Sequence, residues 1–241
     1  MSGWLNGRVI ENRHWTDTLF SLRVEGARPK FRAGQFVRIA LDIEGERVAR
    51  AFSFVNTPHD EVLEFYGVIV PEGPLSPRLA KLVPGDALYV APNPAGFLVL
   101  SEVPDAETLW LISTGTGLAP FLSILRTDEP WRRFKNVVVV HAVRRASELV
   151  YREVIAKTPA RYVSMVSREA APGSLAGRIP AAISDGRLED AAGLKLLPDR
   201  SHVMLCGNPD MLKDTQAVLV GRGMRKHRRR TPGHITVESF W

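Results

Sequence analysis

The pattern of apolar residues changes between residues 95 and 106, and this change constrains the fold more than any other feature of the chain. On the N-terminal side, short apolar runs alternate with turn residues; the six runs are GRVIENRHW, DTLFSLRV, QFVRIALDI, VARAFSFVN, LEFYGVIV and DALYVAP. Short strands that follow one another at this spacing are typical of an antiparallel β-barrel.

On the C-terminal side, the apolar runs are continuous and alternate with helical patterns. The runs are TLWLIS, NVVVVHAV, RYVSMVS and HVMLCG, and the helical patterns cover residues 119–127, 147–157 and 209–220. Apolar strands separated by helices indicate a parallel sheet whose two faces are covered. We therefore predict two domains: an antiparallel β-barrel over residues 1–100, followed by an α/β domain with a parallel sheet over residues 101–241.

Cysteine content and hydropathy exclude several classes of protein. Cys206 is the single cysteine, which excludes an intrachain disulfide, a redox dithiol and a four-cysteine iron–sulfur cluster within this chain. The first residues lack the apolar stretch of a signal peptide, and the longest strongly apolar run, NVVVVHAV, is too short to cross a bilayer. We therefore expect a cytoplasmic protein without a membrane partner, and nothing in the sequence requires more than a monomer.

The positive charge is concentrated in the second half of the chain. Residues 1–100 contain 11 basic and 11 acidic side chains, so the formal net charge of +6 comes entirely from residues 101–241. Five cations lie in RKHRRR, residues 225–230. This run is compatible with a solvated loop or helix end, and with a docking patch for an acidic partner or a phosphate. Nucleic acid is the weaker alternative because no nucleic-acid-binding fold accompanies the run.

A glycine-rich turn opens the α/β half. Gly115-Thr116-Gly117 follows the strand over 108–113, and Pro120 falls in the first turn of the next helix. Glycines let a phosphate approach the backbone, and a helix N-terminus favours the charge of that phosphate. The pattern is GxGxxP rather than GxGxxG, so an ordinary strand-to-helix turn stays an alternative to a dinucleotide-binding turn.

Three arginines follow the carboxyl ends of predicted strands. Arg144 follows NVVVVHAV, Arg168 follows RYVSMVS, and Arg178 comes ten residues later. Ligands of open parallel sheets bind outside these strand ends, where arginines are suited to a 2′-phosphate and would select NADP over NAD. Surface arginines in loops are the alternative. CGNPDM, residues 206–211, ends another strand at the same edge and starts a helix with Asn-Pro.

The stretch RAFSFVN, residues 50–56, places an arginine beside aromatic rings in a predicted strand. Alternation puts Arg50, Phe52 and Phe54 on one face of that strand, and Ala51, Ser53 and Val55 on the other. A buried arginine next to a ring is costly unless an anion and a flat group accompany it. A nucleotide with an aromatic head group supplies both.

Three further residues have both a structural and a functional interpretation. Ser76 in GPLSPRLAKL starts a helical pattern, so it is either a plain N-cap or part of a helix N-terminus that holds a diphosphate. Tyr66 is compatible with barrel core and with a ligand platform. His141 lies within an apolar strand and is interpreted as a core histidine with satisfied hydrogen bonds, with a catalytic histidine as the alternative. No cluster has the spacing of a metal site or of a Ser-His-Asp triad.

The segments RAFS, GPLS, GTGLAPF, HAVR, LCGNPDM and the final GHITVESFW occur in an order that resembles the bacterial ferredoxin–NADP reductases. The resemblance extends over nearly all of the chain and is greatest to the subgroup that ends in an aromatic pair. It implies FAD and NADP(H) as cofactors. It also implies that hydride passes between NADPH and flavin N5, and that single electrons pass between the flavin and an acidic ferredoxin or flavodoxin.

The resemblance also assigns residues to FAD. Arg50 would pair with the pyrophosphate, Phe52 would stack on the isoalloxazine, and Ser53 would form a hydrogen bond near flavin N5. Pro74, Leu75 and Ser76 would present backbone N–H groups to the diphosphate. The remaining residues implied at FAD are Ala51, Tyr66, Thr116, Phe240, which would cover the second flavin face, and Trp241, which would stack on adenine. In that subgroup tyrosine is common at the positions of Phe52 and Phe240, so here the ring stacking is kept and the phenol hydrogen bonds are lost.

A second set is implied at NADP. Thr116 would lie where flavin and nicotinamide meet, and Cys206 and Glu238 would neighbour the nicotinamide. The residues that would hold the rest of NADP are Val143, Arg144, Ser167, Arg168, Arg178, Asn208, Pro209 and Asp210. The alternatives are an NAD(P)H flavin reductase, the reductase component of an oxygenase, and a nucleotide-binding sensor without activity.

Overall fold

The computed structural model describes residues 3–239. Its strands are β1 (Leu5–His14), β2 (Leu19–Glu25), β3 (Phe36–Ile43), β4 (Glu46–Ser53), β5 (Leu63–Val68), β6 (Ala87–Val90), β7 (Thr108–Thr114), β8 (Asn136–Val143), β9 (Arg161–Val166), β10 (Leu175–Ala176), β11 (Ser201–Gly207) and β12 (Ile235–Ser239). Its α-helices are α1 (Ser76–Leu79), α2 (Ala119–Leu125), α3 (Glu129–Arg133), α4 (Arg152–Ile155), α5 (Ile179–Ser184), α6 (Arg187–Ala192) and α7 (Pro209–Gly221).

The chain forms two compact units. One runs to Val99 and includes Ala119–Thr127, and the other comprises Leu100–Leu118 and the chain from Asp128 onward. The predicted fold, an antiparallel β-barrel followed by a parallel α/β domain, is confirmed. The exact domain limits, 1–100 and 101–241, stay a prediction.

The first unit is a six-stranded sheet in the order β4-β3-β6-β1-β2-β5, with antiparallel neighbours. Beyond β4, a bridge between Phe54 and Phe65 of β5 joins the two ends of this order and closes the barrel. Alternating side chains face inward and form one apolar core, which includes Phe20, Leu22 and Val90.

Helix α2 packs with the first unit because its polar side chains bind the loop after β4. The Ser123 hydroxyl donates to the carbonyl oxygen of Asn56 at 2.7 Å. Arg126 follows α2 and donates to the carbonyl oxygen of Val55 at 3.2 Å and to the Glu64 carboxylate at 2.7 Å.

The second unit is a parallel sheet in the order β10-β9-β8-β7-β11-β12. The valines of β8 are buried, as expected for a strand with both faces covered. Since all six strands run in the same direction, their carboxyl ends lie at one edge of the sheet.

Several elements differ from the sequence prediction. The helix predicted over 147–157 is a 3-10 turn at Ala146–Glu148 followed by the short α4, because Tyr151 has a left-handed φ of 60° that interrupts the helix. The elements that the sequence prediction missed are β10, β12, α3, α5 and α6. Within residues 3–239, no helix combines the length and apolarity that crossing a membrane requires.

Candidate functional site

In the first unit, Arg50–Ser53 form the end of β4, where the chain stops pairing with β3 and begins to pair with β5. Phe52 pairs with Val37 and Ser53 with Phe36 of β3, whereas the next residue, Phe54, bridges β5. The regular alternation of side chains between the two faces of β4 therefore ends at Ser53. The sequence predicts that this alternation continues through Val55.

Arg50 is exposed in this structure, which corrects the expectation of a buried arginine. Its guanidinium donates to the carbonyl oxygen of Ala49 at 2.8 Å, and no carboxylate of the described residues pairs with it. Ala51 is also exposed. Arg50 thus keeps its charge available for an anion from outside the protein.

Phe52 and Ser53 are buried beside this arginine. The Phe52 ring lies edge-on to Phe65, with 6.4 Å between ring centroids. Gly67 permits this packing, because an ideal Cβ on that residue would lie 2.9 Å from the Phe52 ring. Ser53 is 1% exposed, and its buried hydroxyl has no hydrogen-bond partner among the described residues. A buried hydroxyl without a partner is costly, and its position beside Phe52 and Arg50 makes Ser53 a candidate to bind a ligand.

The short helix α1 corrects the prediction for Ser76. Ser76 is the first helical residue rather than the N-cap, and its hydroxyl accepts a hydrogen bond from the N–H of Val70 at 2.9 Å. Leu75 occupies the N-cap position and provides no side-chain cap. At the other end, the Asn12 amide donates to the carbonyl oxygens of Leu79 and Ala80 at 3.3 and 3.0 Å, so β1 holds α1 in place.

Tyr66 is buried on β5, where it pairs with Ser21 of β2. The site side chains of the first unit therefore suit FAD: an exposed guanidinium, a buried ring, a buried hydroxyl without a partner and an uncapped turn.

In the second unit, the turn Gly115–Leu118 follows β7 and packs on the end of β11. Gly117 makes this possible, because an ideal Cβ there would lie 2.5 Å from the carbonyl oxygen of Cys206. Thr116, the central residue of the glycine turn, is buried.

Asn208 has a structural role in addition to the predicted one. Its backbone N–H donates to the Thr114 hydroxyl at 2.9 Å, which links the turns after β7 and β11. Its side-chain oxygen accepts hydrogen bonds from the N–H groups of Asp210 and Met211 at 2.9 and 3.2 Å. Asn208 is therefore the N-cap of α7, with Pro209 as the first helical residue.

Cys206 is fully buried on β11, where it pairs with Ser113 of β7 and Glu238 of β12. Burial raises the pKa of the Cys206 thiol well above its ordinary value, and the negative charge of Glu238 raises it further. Cys206 is therefore a neutral thiol at physiological pH.

The predicted arginines of the second unit gather at one edge of the sheet. The N–H groups of Ser167 and Arg168 donate to the carbonyl oxygens of Val143 and Arg144 at 3.1 and 2.9 Å, so the loops after β8 and β9 run side by side. Arg178 follows β10, which pairs with the end of β9. All three arginines are exposed.

Sequence reasoning missed the carboxylates of these loops. Glu148 accepts a hydrogen bond from the N–H of Arg144 at 2.9 Å, and Glu169 accepts one from the N–H of Ala146 at 2.7 Å. Glu169 also lies 3.7 Å from the guanidinium of Arg145. The one available signal was that Glu169 directly follows Arg168 in the sequence.

His141 is a core residue, as predicted, but its hydrogen bonds are not satisfied as expected. It is fully buried between Ser113 and Ser164 of the neighbouring strands, and neither ring nitrogen has a hydrogen-bond partner of normal geometry among the described residues. Burial lowers the pKa of His141 to about 4, and the backbone of Gly115 offsets part of this effect. The imidazole is therefore neutral at physiological pH.

The basic run 225–230 is an ordered hairpin. The N–H of Arg228 donates to the carbonyl oxygen of Thr231 at 3.0 Å and the reverse bond measures 2.8 Å, which places Arg229 and Arg230 at the tip. Arg229 forms two 2.9 Å hydrogen bonds with the Glu102 carboxylate.

Phe240 and Trp241 lie outside the described residues, so their implied contacts with FAD stay a prediction.

Comparisons with known proteins agree with this arrangement. Residues 111–217 match the family model of the oxidoreductase NAD-binding domain. The flavodoxin/ferredoxin–NADP reductase of Escherichia coli strain K12 is 51% identical over 248 residues, which cover all of both chains. The ferredoxin–NADP reductase of Pseudomonas aeruginosa is 37% identical over 254 residues, covering 99% of this chain and 98% of the relative.

A solved structure shows the same architecture with ligands. The ferredoxin NADP+ reductase of Neisseria gonorrhoeae, solved with bound FAD and NADP, has a TM-score of 0.96 and 33% sequence identity over the full length of both chains. Fold, site and relatives together define a two-domain oxidoreductase. The chain belongs to the flavodoxin/ferredoxin–NADP reductase family, as the sequence resemblance indicated.

Proposed function

We propose that this protein binds FAD in its first unit and NADP(H) in its second, and that it connects NADPH to an acidic ferredoxin or flavodoxin. The observation that carries the proposal is the buried Ser53 hydroxyl, which has no partner among the described residues and lies at the end of β4 beside Phe52. When bound, FAD supplies the conversion between a two-electron hydride donor and one-electron acceptors.

The first unit holds FAD at both ends of the cofactor. Arg50 neutralises the diphosphate together with the backbone N–H groups of Leu75 and Ser76, whereas Pro74 has no N–H to donate. This absence at Pro74 corrects its expected role as a donor and leaves Leu75 and Ser76 for that task. Phe52 and Tyr66 lie against the flavin ring system, and Ser53 donates a hydrogen bond near N5. Phe240 and Trp241 complete this set.

The second unit holds NADP(H) at the carboxyl ends of its strands. Arg144, Arg168 and Arg178 bind the 2′-phosphate of NADP. Because NAD lacks this phosphate, the three arginines favour NADP over NAD. Val143 and Ser167 line the same two loops. The nucleotide is bordered by Asn208, Pro209 and Asp210, and by Thr116 of the glycine turn.

Cys206 and Glu238 form the surroundings of the nicotinamide. The raised pKa keeps the Cys206 thiol protonated, so it acts as a neutral neighbour and not as a nucleophile. Glu238 pairs with Cys206 in the parallel register, and a carboxylate next to the nicotinamide would stabilise positive charge on that ring.

The exposed cations of the basic hairpin are a docking surface for the acidic partner. Arg225, Lys226, Arg228 and Arg230 are exposed and lack an ion pair within residues 3–239, whereas Arg229 fixes the hairpin through Glu102. Charge complementarity at such a rim raises association rates, and the effect falls with salt.

Charge reversal tests this surface. Arg228→Glu should slow reduction of a bacterial flavodoxin about tenfold at low salt, and the difference from wild type should shrink at 0.5 M salt. Reduction of ferricyanide by NADPH should not change. Lys157→Glu, at another exposed lysine of the same unit, is the matched control. Equal flavodoxin rates for Arg228→Glu and Lys157→Glu would exclude the hairpin as the docking surface.

Retention of the flavin tests the proposed reaction against the flavin-reductase alternative. The purified protein should release FAD, and no FMN, on heat denaturation. During turnover with NADPH and flavodoxin the FAD should stay with the protein in gel filtration. Recovery of reduced flavin in the small-molecule fraction would instead establish a flavin reductase.

A cytoplasmic location is consistent with the reduced, buried Cys206.

A further inference from the structure

Two neighbouring loops of the second unit are connected by successive hydrogen bonds beyond the ends of β8 and β9. The first two are backbone bonds, from Ser167 to Val143 and from Arg168 to Arg144. The third is made by a side chain: the Glu169 carboxylate accepts the N–H of Ala146 at 2.7 Å. Arg168 itself donates the second hydrogen bond, and its two sequence neighbours, Ser167 and Glu169, form the first and the third.

The N–H that Glu169 accepts has no partner within its own turn. Ala146 is the first residue of the 3-10 turn Ala146–Glu148, and the preceding residue, Arg145, offers no side-chain cap. The first N–H groups of a helical turn lack internal acceptors. Glu169 therefore caps this turn from the next loop, and its second oxygen lies 3.7 Å from the Arg145 guanidinium.

Charge alone does not explain a carboxylate at this position. A negative side chain one residue from Arg168 repels a phosphate that Arg168 binds, so its electrostatic contribution to phosphate affinity is unfavourable. The hydrogen bond to Ala146 acts in the opposite direction, because it holds the two arginine-bearing loops in one relative position. Groups that are ordered before binding lose less entropy when the ligand arrives.

We propose that Glu169 is a positioning residue for 2′-phosphate recognition, acting through its hydrogen bond to Ala146 and not through its charge. This inference rests on the proposed assignment of Arg144 and Arg168 to the 2′-phosphate. It predicts different results for two substitutions. Glu169→Ala removes the acceptor, whereas Glu169→Gln removes the charge and keeps an acceptor oxygen.

Binding of adenosine 2′,5′-bisphosphate to the holoenzyme, measured by calorimetry, separates the two effects. Glu169→Ala should weaken this ligand about tenfold, equivalent to about 1.4 kcal/mol, and leave the affinity for 5′-AMP unchanged. Glu169→Gln should bind within about twofold of wild type, or more tightly. In steady state, Glu169→Ala should raise KM for NADPH at constant kcat. Glu153→Ala, at an exposed glutamate of α4, removes the same charge as a control.

Three results would overturn the inference. If Glu169→Ala and Glu169→Gln both differ from wild type, and by the same factor, the charge acts and the hydrogen bond does not. A Glu169→Ala variant that binds the bisphosphate like wild type, while Arg168→Ala binds it more weakly, would remove Glu169 and leave the proposed function intact. A wild-type protein that binds the bisphosphate no better than 5′-AMP would remove both.

Discussion

Replacing Ser53 with alanine should have opposite effects on the protein with and without FAD. Ser53 is 1% exposed, and its buried hydroxyl has no hydrogen-bond partner within residues 3–239. A buried hydroxyl without a partner costs about 1–3 kcal/mol, so removing it should stabilise the FAD-free protein by about 1 kcal/mol. For a chain of this size, that corresponds to a rise in Tm of about 2–4 °C.

The FAD-loaded protein should respond in the other direction. Loss of one hydrogen bond to the flavin costs about 1 kcal/mol, and the FAD-free state is lowered by a similar amount. The two changes add to about 2 kcal/mol in binding, so the Kd for FAD should rise about 30-fold. Flavin fluorescence measures this Kd, and thermal unfolding of both forms measures the two stabilities.

Ser123→Ala is the matched control for this experiment. The Ser123 hydroxyl is also buried in the first unit, but it donates to the carbonyl oxygen of Asn56 at 2.7 Å. Its removal should destabilise both forms by about 1 kcal/mol and leave the Kd for FAD unchanged. If Ser53→Ala lowers the Tm of the FAD-free protein and binds FAD like wild type, the Ser53 hydroxyl does not face the flavin.

Three other perturbations test the structure. Gly117→Ala places a Cβ 2.5 Å from the carbonyl oxygen of Cys206, so it should lower the free energy of unfolding by about 1–3 kcal/mol; denaturant unfolding at wild-type stability would contradict the described turn. Arg126→Leu removes the 2.7 Å ion pair with Glu64 and should cost about 2 kcal/mol in the same assay, whereas a change below about 0.5 kcal/mol, as for an exposed pair, would show that this contact is weak. Burial lowers the pKa of His141 to about 4 and, with nearby histidines and Arg133, that of His202 to about 3. Since the unfolded state binds more protons than the folded state, stability should fall by about 1.6 kcal/mol per histidine between pH 6.5 and pH 5; equal denaturant midpoints at these two pH values would contradict the burial of both rings.

The strands with strong patterns could be predicted because their apolar residues face a core. All six runs of the N-terminal half and all four of the C-terminal half are strands in the structure. Strand β10 was missed because two residues, Leu175–Ala176, carry no periodicity. The short helices α5 and α6 were missed because six residues span fewer than two turns and show too little of an apolar stripe.

The proximity of candidate site residues could be predicted where chain topology determines it. Arg144 and Arg168 were expected together because parallel strands end at one edge of a sheet, and the structure joins their loops through a 2.9 Å hydrogen bond. The roles of Ser76 and Glu169 depend on acceptors and donors distant in the sequence, Val70 and Ala146, which no local pattern reveals. The exposure of Arg50 was likewise a property of the folded barrel and not of the segment RAFS.

The central claim is that the protein retains FAD and that NADPH reduces it in preference to NADH. An anaerobic titration of the purified protein, followed through the visible absorption band of the flavin, tests this claim most directly. We expect bleaching by NADPH at a far lower concentration than by NADH, because Arg144, Arg168 and Arg178 are proposed to bind the 2′-phosphate that NADH lacks. Equal bleaching by both nucleotides would remove the arginines from this role, and a protein without a flavin band would contradict the proposed retention of FAD.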